Sequence, residues 1–178
     1  TSDRLARLCA GEPVRGPLAE QVSRAALTAH VFCGCAGLEE AELHGLCPGD
    51  ALILSGLSRT PTGLAGDATL KFESFHLHGA LSGRAFTLAS ISDALRPEAL
   101  MQDGPTLVST LPIDVQVEIA RIKVPLSQLD QIKPGSVIDL EASLSDPVVL
   151  RVGDRAVAKA ELVDIDGELG ARILALLS

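Results

Sequence analysis

The residues of this 178-residue chain best suited to chemistry are its four cysteines and four histidines. Cys33 and Cys35 are spaced i, i+2, and so are His76 and His78. On a strand that spacing puts both members of a pair on one face, so each pair can supply two metal ligands. His30, His44 and Cys47 lie nearby in sequence, and a Cys/His zinc site is one reading of the set. The other is buried, reduced thiols with surface histidines. The usual Cys-x-x-Cys spacing is absent, and Cys33 falls on a core position of an internal repeat, which favours the thiol reading. Asp164 with Asp166, or Glu39 with Glu42, could share acid–base work. They fall in a turn and on a solvent-type helix face, where solvation is the simpler role. The chain has no Gly-x-Gly-x-x-Gly, no P-loop and no recognisable Ser-His-Asp set, and Gly56–Gly66 precedes no phosphate-binding helix pattern. The expectation is a protein that is not an enzyme, with no catalytic residue, metal or cofactor.

The elements that would position such residues are strands. Between Leu111 and Leu140, Ile113, Val115, Val117 and Ile119 alternate with Asp114, Gln116, Glu118 and Ala120. Period two marks a half-buried strand. Ser127–Ile132 is spaced for one or two helical turns, Lys133-Pro134-Gly135-Ser136 reads as a turn, and Val137–Leu140 starts another strand. The same frame occurs 86 residues earlier, with Pro48-Gly49 on Pro134-Gly135, Leu52 on Ile138, and Ala29, Val31 and Cys33 on Val115, Val117 and Ile119. Forwards, Pro61 falls on Pro147 and Leu64 on Leu150, and Leu81–Phe86 parallels Leu169–Ile173.

The repeat predicts two copies of about 75 residues, a size that is marginal alone, so each copy is expected to bury surface against the other. The boundaries read as an N-terminal helix and linker (1–17), a first divergent copy (18–91), a linker (92–110) and a second copy (111–178). Leu18–Leu27 suits helix or strand; the repeat favours a strand from about Leu27 to Cys35. A short helix is expected over Leu38–Leu46, a strand over Ala51–Leu54, a loop over Ser55–Gly66 and an alternating strand over Lys71–His78. Arg84–Ile91 ends the first copy. Val148–Val152, Ala156–Ile165 and Ala171–Leu176 form the last strands, with turns at Gly153-Asp154 and Asp166-Gly167. The first residue is Thr1 rather than Met, which suggests a fragment lacking an N-terminal domain.

Apolar residues make up 47%, with no Trp or Tyr and four Phe, so the core is expected to be Leu, Val, Ile and Ala. The formal charge is −8, with 8 basic and 11 acidic residues up to position 100 and 7 and 12 beyond it. Both halves are acidic, which argues against nucleic acid or an anionic membrane surface as partner. No apolar run reaches the roughly 18 residues of a membrane-spanning helix.

The second copy resembles the SpoA (surface presentation of antigens) domain. The resemblance rests on the Val115–Ile119 alternation, Leu129-x-x-Ile132-x-Pro134-Gly135-Ser136-Val137-Ile138-x-Leu140, Asp146-Pro147-Val148, Gly153, Ala158-Lys159-Ala160-Glu161 and Leu169-Gly170-Ala171-Arg172-Ile173. The first copy keeps Pro48-Gly49, and Gly83-Arg84-Ala85-Phe86 is its nearest equivalent of the Gly-x-Arg-Ile ending. Two copies in tandem, the first divergent, resemble the SctQ (HrcQ/YscQ) family of type III secretion, related to flagellar FliN and FliM. The resemblance implies a mainly β fold in which two small SpoA-type domains with short helices pack as an intertwined pseudo-dimer. It implies a non-catalytic scaffold in the bacterial cytoplasm, at the sorting platform below the injectisome. The partners it implies are the N-terminal segment of a stator-like SctL protein with its ATPase, an SctK-type platform protein, and a short SpoA product or a second copy of the chain. A flagellar switch component is the alternative.

In FliN an apolar run before the Gly-x-Arg-Ile strand docks partners. Here it matches Leu162-Val163-Asp164, with Asp164 interrupting it. Phe75-His76-Leu77 is taken as the equivalent in the first copy. Phe75, Leu77, Leu162 and Val163 are therefore partner-binding candidates, with ordinary core packing as the competing role. Met101, the only Met, precedes the second copy, where an internal start producing a short SpoA product would lie; it reads equally as a chance linker residue. Val108 is a second possible start position.

Overall fold

The computed structural model describes residues 25–93, 112–129, 131–140 and 147–177. Cys9, Met101 and Val108, the expected N-terminal helix and most of the expected linker lie outside them.

The described residues belong to two compact units. In the smaller, which takes in residues up to Leu27 and Lys123–Ile132, the Leu126 amide donates to the Ala25 carbonyl at 2.9 Å and Val124 is buried. The larger comprises Thr28–Ile122 and Lys133–Ser178 and holds the sheet.

In chain order the elements are β1 (Ala26–Leu38), α1 (Glu40–Gly45), β2 (Ala51–Ile53), β3 (Leu57–Thr60), β4 (Gly63–Lys71), β5 (Phe75–Ser82) and β6 (Ala85–Asp93). Then follow β7 (Ile113–Pro125), α2 (Leu126–Leu129), β8 (Val137–Asp139), β9 (Val148–Val152), β10 (Arg155–Ile165) and β11 (Glu168–Leu176). Ten strands run in the order β2-β11-β10-β9-β7-β1-β4-β5-β6-β8, and β3 pairs with β4. The order reads the same from both ends when the halves are interchanged: β7 answers β1, β9 answers β4, β10 answers β5, β11 answers β6 and β8 answers β2. The outermost strands are exchanged. β2, from the first half, closes the second half by pairing with β11 through Ala171↔Leu52. β8, from the second, closes the first by pairing with β6 through Phe86↔Ile138. This is the expected intertwined, mainly β arrangement.

Alternation places the core. Val31, Val115, Val117, Leu70, Leu150 and Ile173 are fully buried, one face of each strand at a time. Phe86 adds an aromatic ring to the expected aliphatic core.

Three local expectations are corrected. Ser55–Gly66 is a hairpin limb and not a loop: β3 and β4 pair from Leu57↔Gly66 to Thr60↔Gly63. Gly66 marks a close backbone approach, since a Cβ there would collide with the Gly56 carbonyl oxygen and lie 3.1 Å from the Leu57 Cα. Lys71–His78 is not one strand, because the chain turns after Lys71 and the Phe72 amide bonds to the Phe75 carbonyl at 3.0 Å. Finally, the counterpart of Leu150 is Leu70 and not Leu64, since Val31 pairs with Leu70 where Val117 pairs with Leu150. The β3–β4 hairpin introduces this shift, which a constant offset cannot follow.

Candidate functional site: surfaces on the two sides of the sheet

The four residues expected to dock a partner fall in two places. Phe75 opens β5, half-buried, its ring stacked on Phe72 at 4.5 Å between centroids. Leu77, two residues on, is buried in the core opposite Leu70. Leu162 and Val163 lie on β10, with β9, β7, β1 and β4 between that strand and β5 in the sheet order. The ladders correct the pairing of the two segments: Leu77 faces Leu70 where Ala158 faces Leu150, so the first-half counterpart of Leu162 is Leu81.

Leu162 and Val163 also point to opposite faces, as adjacent strand residues must. Leu162 shares a row with the buried Ala171 and Leu52. Val163 shares the outer row with Gly170 and Ile53. Ile53 is 44% exposed. Sequence reasoning placed no role on Ile53, although the repeat aligns it with Asp139 and so marks it as apolar where the other copy is charged.

The second residue missed is Glu118. Its place in the alternation makes it an outward, solvated residue of β7, yet it is only 4% exposed. One carboxylate oxygen accepts from Arg121 Nε at 2.6 Å and meets His30 Nδ1 at 3.0 Å; the other accepts from Arg151 Nη1 at 2.9 Å. Burial alone would raise its pKa. The hydrogen bonds from Arg121 and His30, and their charges, overcome that and hold it below the usual carboxylate range. The mirrored position in the other half is Phe32, over whose ring Lys71 Nζ sits at 4.3 Å while donating to Gln116 at 2.7 Å. Burial lowers the Lys71 pKa, and it also lowers that of His76, helped by the charge of Lys71. The cluster is a polar seam where β1 and β7 meet.

The metal-like pairs do not converge. Gly34 takes φ +82° between Cys33 and Cys35, so the same-face rule fails across it. Cys33 is buried and its thiol is pushed up to about 12, which keeps it protonated and unreactive. The rings of His76 and His78 meet edge to face at 6.2 Å, and His78 bonds to Thr69 and Ser92. Among the described residues no three His, Cys, Asp or Glu side chains come together as metal ligands. The paired carboxylates have local structural roles. Asp164 accepts the Gly167 amide in the β10–β11 turn, and Glu39 and Glu42 form the capping box of α1. No helix among the described residues is long and apolar enough to cross a membrane.

Comparison with known proteins adds to this geometry. Residues 106–178 match a family model described as the type III flagellar switch regulator (C-ring) FliN C-terminal domain. The chain is 37% identical over 82 residues to Yop proteins translocation protein Q of Yersinia pseudotuberculosis, covering 46% of this chain and 25% of that protein. It is 34% identical over 68 residues to the flagellar motor switch phosphatase FliY of Bacillus subtilis, covering 38% and 18%. Similarity to the secretion system apparatus protein SsaQ of Salmonella typhimurium is 26% over 125 residues, covering 61% and 38%. The chain thus spans only about a fifth to two fifths of these relatives' lengths.

Proposed function

We propose that the protein is a scaffold of the cytoplasmic sorting platform of a type III secretion system, a reading supported by the match of residues 106–178 to the FliN C-terminal family model. That family is structural rather than enzymatic in kind. The observation carrying the proposal is the reciprocal exchange of β2 and β8, which makes two SpoA-type halves one framework within a single chain. In this reading the framework docks the N-terminal segment of a stator-like SctL protein, and through it the ATPase, together with an SctK-type protein. Phe75, Leu162 and Val163 are each half-buried and partly open to such docking, and Leu77 can take part only by leaving the core. A short SpoA product starting at Met101 remains part of the proposal as a further subunit.

The test is light scattering of this chain mixed with the SctL N-terminal segment. A complex of defined mass supports the scaffold role. Free chain alone, with or without added residues 101–178, counts against it. The similarity to FliY supports a second reading, a flagellar rotor component, which recovery of a flagellar partner instead would establish.

A further inference from the structure

β1 and β7 lie side by side at the centre of the sheet, and the interchange of halves carries each onto the other. His30 corresponds to Gln116 and Phe32 to Glu118 by the 86-residue offset. Lys71 corresponds to Arg151, since Lys71 pairs with His30 where Arg151 pairs with Gln116. Strand pairing is therefore symmetric about this seam, and the side chains are not.

Among the described residues, two side-chain contacts cross the seam from one half to the other on this face. Lys71 Nζ donates to Gln116 Oε1 at 2.7 Å, and His30 Nδ1 lies 3.0 Å from Glu118 Oε1. An ionised carboxylate can only accept, so His30 is the donor. Both donors come from the first half and both acceptors from the second. The other contacts stay within one half: Arg121 and Arg151 reach Glu118 from β7 and β9, and Lys71 sits over Phe32 from β4. Glu118 is buried, and Lys71 and His30 are half-buried. A donor that meets another donor in such a place loses its bond without regaining full hydration.

We infer that this seam decides which halves pair. The first half, with donors at His30 and Lys71 and a ring at Phe32, pairs with a half that presents acceptors at the positions of Gln116 and Glu118. That is the second half of the same chain or of another copy. Two first halves would set His30 of one against Phe32 of the other, as His30 now meets Glu118. They would also bring two Lys71 ammoniums to one seam with neither carboxylate nor amide to receive them. Two second halves meet no such conflict, since each Glu118 keeps its own arginines and Gln116 can donate to the Glu118 opposite. The selection is exerted by the first half: where copies of the chain exchange halves, a first half joins a second. The inference goes beyond the scaffold reading and does not depend on it.

The experiment reverses the donors and acceptors in full-length chains. His30→Glu with Lys71→Glu gives one chain acceptors on both sides of the seam. Gln116→Lys with Glu118→Gln gives another chain donors on both sides and removes its carboxylate. The two are unfolded in urea, mixed in equal amounts, refolded and weighed by native mass spectrometry. Each first half then finds a matching second half only in the other variant. A two-chain species with one copy of each is expected to exceed same-variant pairs about tenfold or more. All four substitutions in one chain restore the match within it, so its urea midpoint should lie above those of both doubly substituted chains. A doubly substituted chain that fails to fold alone but folds on mixing meets the same expectation. Absence of the mixed species, same-variant pairs as abundant as the mixed one, or a fourfold variant no more stable than either parent variant would overturn the inference.

Discussion

Glu118 carries the most consequential side chain in the described structure. It is buried on a sheet whose other interior positions are apolar, and it is held by three donors from three parts of the chain. Removing its charge leaves Arg151, itself mostly buried, without its carboxylate. A buried pair broken on one side costs about 3–5 kcal/mol. Arg121 reaches water and softens the loss, so Glu118→Gln should lower stability by roughly 2 kcal/mol near neutral pH, read by urea denaturation. The pH dependence has a definite sign. The folded carboxyl titrates below its ordinary value of 4.5, so on acidification the unfolded chain takes up the proton first. The stabilisation is complete above that value and is lost as pH falls through the depressed folded one. The gap between the parent protein and Glu118→Gln should therefore close on acidification below about pH 4.5; a gap constant down to pH 3 would show that the charge is not what stabilises. In the sequence, Glu118 is indistinguishable from any outward residue of an alternating strand, because His30 and Arg151 are 88 and 33 residues away.

Among the elements, the β3–β4 hairpin shows how glycine content misleads. Three glycines and a proline between Ser55 and Gly66 describe a loop by composition, yet the segment is paired along both limbs. Gly66 is required because the Gly56–Leu57 backbone passes directly over it. Backbone cannot yield as a flexible side chain does, so Gly66→Ala should destabilise by about 1–3 kcal/mol despite the better strand residue. Thermal unfolding would measure it, and an unchanged or raised melting temperature would mean that the close approach is not obligatory. The same hairpin lengthens the first half relative to the second, and for that reason Leu70 rather than Leu64 answers Leu150. The outer strands were legible in another way: Pro48-Gly49 and Pro134-Gly135 place β2 and β8 correctly. Nothing local to those three-residue strands reveals that each pairs with the other half.

For the whole molecule, the exchange has a thermodynamic consequence. Leu52 in β2 packs beside Ala171, so a first-half side chain completes the second half's core. Leu52→Ala should cost about 2–5 kcal/mol, and the cost should fall on both halves together. Unfolding followed by amide resonances of β4 and of β10 should then give one coincident transition, shifted equally in the variant. Two separated transitions would show that the halves fold independently and that the exchanged strands are peripheral. The same exchange brings Ile53, from the first half, into the row of Val163 and Gly170 from the second.

Sequence alone determined the strand character of the chain, the repeat, the resemblance to SpoA domains and the scarcity of catalytic groupings. All of these are written in short-range pattern: period two along strands, Pro-Gly at turns, and residue type at fixed spacing. Tertiary structure decided which strand of one half closes the other, which of two adjacent residues faces outward, and how a buried carboxylate finds its cations. Those outcomes depend on pairings between residues tens of positions apart, and a strand's own alternation is equally satisfied by any partner that buries the same face.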